Sequence, residues 1–303
     1  WHRTYGFADR RGECVYSACP HFNKCFVEKS IRKARRADIV IANHALVMHQ
    51  AGLNNDGDAL PARYVFDEGH HIFDAADSAF GAHLSGLETA DLRRWILGVE
   101  TGKKSRARGL KRRLEDLVID DDAAQKELQD LIEAAHGLPG QDWRKRLSEE
   151  APKGVVEKFL TLCRQQVLAR NKNIDTPYSI ECDTQPPIDG LFETAYALAL
   201  RLRDLQRPMQ NLASWLRDKL VRDAETLDSD TRARLTFLSG SLRQRSESVV
   251  GAWIDMLESL KNGKKEGFVD WMEITRIDGR DDNVGLYRAY IDPVKIFAER
   301  LKP

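Results

Sequence analysis

Cys14, Cys19 and Cys25 are spaced C-x4-C-x5-C in a loop that also holds Pro20 and His21. Thiolates this close together can converge on one soft metal centre, either zinc or an iron-sulfur cluster. Zinc sites usually use tight C-x2-C knuckles, and the wider spacing here leans toward iron-sulfur. A fourth ligand is not evident from spacing; His21 and a cysteine before Trp1 are both open. Asp67 and Glu68 follow the apolar run Tyr64-Val65-Phe66 in YVFDEGHH. At the end of a strand, enzymes that handle phosphate place one carboxylate on magnesium and a second where it orients water toward the γ-phosphate. The plainer alternative is an acidic pair that caps the next helix, favoured by the helix dipole.

The elements that must position these groups read as two kinds of chain. Residues 26–36, FVEKSIRKARR, have helical spacing. Ile39-Val40-Ile41 is a short continuous apolar run, expected to be a strand buried on both faces of a parallel sheet, and a helix is expected from His44 to Gln50. Tyr64-Val65-Phe66 reads as a second such strand, with a helix leaving through GHHIFDAADSAF. Strand, helix, strand, helix is the order of an α/β sheet. From about Leu87 to Lys265 the chain turns to long charged segments with apolar residues three and four apart, a helical unit. Pro208 lies inside one of them and is expected to kink or divide it. FVDWMEITRI and VGLYRAYIDP bracket the turn-rich DGRDDN, which predicts an antiparallel hairpin. The fold class is therefore mainly α with a small α/β part: an incomplete parallel sheet, a helical insertion and a C-terminal hairpin.

Among 303 residues, 47 basic and 47 acidic side chains cancel. This argues against a uniformly basic coat built for nucleic acid and leaves only local patches for such contacts. No stretch reaches the roughly 20 apolar residues of a bilayer span, and the opening WHRTYGFADRRGE lacks the apolar core of a signal peptide. A soluble, cytoplasmic, monomeric protein without a membrane partner is expected. Five cysteines, an odd set, fit a reduced compartment better than a disulfide framework. Cys163 and Cys182 read as buried small hydrophobes or inert thiols, and Trp95, Trp215 and Trp253 as core.

The three cysteines, the run ADIVIANHALVMHQ and the segment YVFDEGHHIFDAA occur in the order found in DinG-type bacterial relatives of the XPD helicases, which this chain resembles. The resemblance implies a 4Fe-4S cluster with Cys14, Cys19 and Cys25 as three of its four ligands. It implies a RecA-like motor in which Asp67 helps to hold Mg-ATP, Glu68 is the base for water, and His70 matches the box histidine that links nucleotide state to DNA. Asn43 and His44 match the family's NHALL-like segment. The expected activity is ATP-dependent unwinding, 5′ to 3′, on single strands or branched duplexes. Residues 1–36 would be a partial cluster region, 37–86 part of the first motor domain, 87–266 the arch, and 267–303 the hairpin that returns to the motor. The box reads DEGH rather than DEAH, and the chain contains no G-x-x-x-x-G-K-[ST] loop. With Trp rather than Met at its start, it is expected to be a middle slice of a longer protein that turns ATP over poorly alone.

Two basic runs stand out: Lys29, Arg32, Lys33, Arg35 and Arg36 beside the cysteines, and residues 103–113, which carry Lys103, Lys104, Arg106, Arg108, Lys111, Arg112 and Arg113. Such clusters neutralise phosphates, and Tyr5, Phe7, Tyr16 and Phe22 offer rings for stacking bases. A solvated helix face and packing around the cluster are the plainer readings. A reading of another class is a binding module without catalysis, in which a metal loop and a helical body hold DNA or a protein; a zinc-stabilised scaffold is a third.

Overall fold

The computed structural model describes residues 21–52, 63–100, 109–262, 266–294 and 298. After a one-turn 3-10 helix, Phe22–Lys24, the N-terminal part holds α1 (Phe26–Ala34), α2 (His44–Gly52) and α3 (His71–Phe80). β1 (Ala82–Ser85) then enters the larger part: α4 (Gly86–Leu97), α5 (Leu110–Leu114), α6 (Asp122–Ala135), α7 (Trp143–Ser148), α8 (Gly154–Arg170), β2 (Ile180–Asp183), α9 (Leu191–Arg222), α10 (Ser229–Gln244), a π turn (Arg245–Val250), α11 (Gly251–Asn262), β3 (Phe268–Ile277) and β4 (Arg280–Tyr290). The architecture is mainly helical with one small sheet, as the sequence leads one to expect. No helix among the described residues is long and apolar enough to cross a membrane.

The sheet is antiparallel throughout, in the order β1-β4-β3-β2. Its centre is the expected hairpin, but the turn is only Asp278-Gly279, both at positive φ (51° and 74°). A two-residue turn of this twist suits the strands it joins, and Asp-Gly tolerates that backbone. β4 therefore starts at Arg280, earlier than the bracketing residues suggest. The hairpin is not an appendage. Met272, Ile274, Val284 and Leu286 are at most 3% exposed and share one apolar core with Leu84, Trp95, Phe159, Leu198 and Trp253. A second, smaller core holds Met48, Ile72 and Ala76 between α2 and α3.

Long amphipathic helices close the main core. α9 runs through Pro208 undivided, with Leu198, Leu202, Leu205, Met209, Leu212 and Leu216 buried along one stripe. The expected division does not occur: burial of that stripe outweighs the proline's missing amide hydrogen bond. Capping starts and stops the elements. Ser85, the N-cap of α4, accepts a hydrogen bond from the Glu88 amide while its hydroxyl donates to the Glu88 carboxylate, so both groups of Glu88 hold the start of the helix. At the far end of α6, Arg93 donates to the carbonyls of His136 (2.7 Å) and Leu138 (2.8 Å) and pairs bidentately with Glu100. Gly86 lies against the ring of Trp143, where any Cβ would collide with it.

Two expectations fail. Residues 39–41 and 64–66, read as strands of a parallel sheet, pair with nothing among the described residues. Ile39 is 84%, Ile41 98% and Val65 99% exposed. A strand buried on both faces needs ladder neighbours and covering helices, and the four strands of the sheet are other segments. Tyr64 and Phe66 still alternate with Val65 as in an extended chain; their rings stack at 6.0 Å, and Phe66 packs on the small core.

Candidate functional site

α3 begins where the acidic motif ends. Asp67, Glu68, Gly69 and His70 make a turn in which the His71 amide donates to the Glu68 carbonyl (3.0 Å) and the Ile72 amide to the Gly69 carbonyl (3.2 Å). Glu68 holds φ 49°, a left-handed conformation that L side chains seldom adopt and that costs on the order of 1–2 kcal/mol for residues other than glycine. Such strain tends to persist where the surroundings demand it, often at functional positions. The Asp67 Oδ1 accepts from the Glu68 amide (3.1 Å), and the Glu68 Oε2 lies 3.4 Å from His70 Nδ1. His70, the N-cap of α3, makes no side-chain cap bond.

Both side chains are open, with Glu68 69% and His70 68% exposed. Among the described residues neither carboxylate pairs with a lysine or arginine. An acidic pair this free can accept a hard divalent cation on one carboxylate and hold a water on the other. Behind the turn, α3 packs Ile72 and Ala76 against Met48 of α2, which fixes the direction in which the motif points. The His44 and Phe66 rings are 6.0 Å apart, so the NHALV segment sits beside the strand-like run that carries the acids. Asn43 Oδ1 caps α2 by accepting from the Leu46 amide (2.8 Å), a structural role for one of the two residues left without one by the resemblance.

Of the cysteine set, Cys14 and Cys19 lie outside the described residues, as does Tyr16. Cys25 is half-buried and free, at the N-cap of α1, and its sulfur makes no cap hydrogen bond. It is thus available as a metal ligand. Cys163 is fully buried and Cys182 half-buried; burial pushes both thiols up, Cys182 to about 11. That fits the inert role expected of them.

The first basic run lies on α1 and the two residues that follow it. Lys29, Lys33 and Arg36 are exposed, Arg32 bonds Glu28 (2.9 Å) and stacks its guanidinium 4.5 Å from the Phe22 ring centroid, and Arg35 is also exposed. Phe22 is therefore covered on one side by Arg32. In the second run, Lys111 and Arg112 are exposed, whereas Arg113 is 5% exposed and turned inward; Lys103, Lys104, Arg106 and Arg108 lie outside the described residues.

No family model matches the chain. It is 26% identical over 204 residues to the ATP-dependent DNA helicase YoaA of Escherichia coli (strain K12), a match over 64% of this chain and 29% of that protein. It is 27% identical over 177 residues to the ATP-dependent DNA helicase YoaA of Haemophilus influenzae, over 54% of this chain and 26% of that one. The chain thus spans less than a third of the length of these curated relatives. Over more than half its length it is similar to proteins named as ATP-dependent DNA helicases.

Proposed function

We propose that this chain is a segment of an ATP-dependent DNA helicase of the DinG type, with ATP and single-stranded or branched DNA as its partners and a 5′ to 3′ direction of travel. The observation that carries the reading is the similarity to the two helicases, over 64% and 54% of the chain. The open position of Glu68 and its neighbour His70 supports it. In this reading Asp67 holds the magnesium of Mg-ATP. Glu68 orients the attacking water and takes its proton, and His70, 3.4 Å from that carboxylate, responds to whether the carboxylate is engaged. The metal, when bound, neutralises charge on the phosphates. Residues 1–303 contain no G-x-x-x-x-G-K-[ST] phosphate loop, so the test below uses the full-length gene product.

Cys25, together with Cys14 and Cys19, would hold a 4Fe-4S cluster beside α1, whose Lys29 and Lys33, with Arg36 just past its end, face solvent where a strand's phosphates can be neutralised. The larger helical part takes the place of the arch. The test is Glu68→Gln in the full-length gene product. DNA-stimulated ATP turnover is expected to vanish while nucleotide binding persists; unchanged turnover would remove Glu68 from the reaction and with it the motor reading.

A further inference from the structure

We propose that α3 is a rigid connecting rod that delivers the state of the acidic turn to the antiparallel sheet of the helical part through Gly81; this rests on the motor reading above. The chain between the two sites contains no loop. His71 follows the motif directly, α3 is ten residues long, about 15 Å, and Gly81 alone separates it from β1. A displacement at Glu68 or His70 therefore has no flexible linker in which to dissipate.

Both ends of the rod are held. At the acidic end, the Glu68 and Gly69 carbonyls accept the first two amide hydrogen bonds of the helix. At the sheet end the Gly81 amide donates to the Asp77 carbonyl (2.8 Å). A Cβ at Gly81 would lie 2.6 Å from the Asp77 carbonyl oxygen and 3.0 Å from that of Arg288, backbone atoms of α3 and β4 that cannot yield separately. Glycine is what lets the helix seat directly on the central strand. Two residues on, His83 is tied to three other elements. Its carbonyl accepts from Trp253 Nε1 of α11 (2.7 Å), its ring lies 5.2 Å from that of Tyr287 on β4, and its Nδ1 is 3.5 Å from Glu88 on α4. Movement of α3 is thus passed to the body of the helical part rather than to one exposed strand.

The test uses the full-length gene product, ATP and a forked DNA duplex. Gly81→Ala forces α3 away from β4. The expected result is ATP turnover within about threefold of the unaltered protein and base pairs opened per ATP lower by on the order of tenfold, inside the usual range of coupling between sites. Trp253→Phe, which removes the bond to His83 and keeps an aromatic filler, is expected to shift the same ratio in the same direction. Full strand opening per ATP in Gly81→Ala would overturn the proposal. If Gly81→Ala loses turnover as well, hydrogen exchange on the unaltered protein decides. Changed exchange at residues 82–85 and 284–288 on adding ADP with beryllium fluoride supports the rod, and unchanged exchange there overturns it. An unaltered protein that hydrolyses no ATP would instead defeat the motor reading.

Discussion

Replacing Asp270 by alanine is expected to be among the most damaging single changes in the sheet. Asp270 and Arg288 face each other directly across β3 and β4, with Nε–Oδ1 at 2.6 Å and Nη2–Oδ2 at 2.7 Å. The Arg288 side chain is 5% and the Asp270 side chain 14% exposed, and the guanidinium lies 5.0 Å from the centroid of the Phe268 ring. Asp270→Ala leaves a guanidinium that cannot lose its proton and has almost no water to turn to. Breaking a buried pair in this way costs about 3–5 kcal/mol, which for a chain of this size lowers Tm by on the order of 10 °C. Removing both charges with Asp270→Leu and Arg288→Met leaves nothing stranded, so that double variant is expected within about 1–2 kcal/mol of the parent. Urea unfolding of the 303-residue chain followed by circular dichroism measures all three, and the loss in Asp270→Ala should not depend on salt. A cost below about 1 kcal/mol, the value of an exposed pair, would show that Arg288 reaches water and that the inward-facing ion pair is not structural.

Three further outcomes are expected. Hydrogen bonds from Arg93 to Glu100 and from Arg234 to Asp116 hold both carboxyls below the usual carboxylate range. Their folded values lie beneath the unfolded ones, so their contribution is present above about pH 4 and is lost as pH falls through the lowered values. Urea midpoints taken from pH 5 to 2 should accordingly fall less steeply in Arg234→Gln than in the parent. Gly86→Ala drives a methyl group into the Trp143 ring and is expected to cost about 1–3 kcal/mol, with Trp143→Leu in the same chain recovering part of the urea midpoint. Cys25→Ser in the full-length product, purified without oxygen, is expected to lower iron and labile sulfide together; undiminished iron would take Cys25 out of the ligand set.

What could be read from the residues was what local chemistry dictates. Asp-Gly between alternating segments specifies the hairpin, and the apolar spacing of α9 and α10 specifies their buried stripes. The helix that leaves through GHHIFDAADSAF is likewise present as α3. β1 and β2 were not legible. AHLS and IECD are four residues long, and they become strands only because β4 and β3, far away in sequence, offer edges to pair with; strand propensity is mostly context of this kind. The same dependence explains the opposite error at residues 39–41 and 64–66, where the apolar pattern is present and the pairing partners are not. Arg113 sits in a basic run yet faces inward, and the left-handed backbone of Glu68 follows from no residue preference. Neither has a signal in composition or periodicity.

The register of β1 against β4 sets Ala82 opposite Arg288, so the chain leaves and re-enters the region of α3 through neighbouring strands, about 5 Å apart. Everything between is an excursion that closes on itself. The covalent connection to such an excursion is a two-stranded stem, whatever the size of what lies beyond it. Each doubling of the length of a flexible closed loop adds only about 0.6 kcal/mol of closure entropy, and here the interior is anchored by its own core. Lengthening of the connections between the helices beyond the stem can therefore proceed with little penalty to the segment that carries the acidic turn, provided the core shared by the stem and the helices is kept.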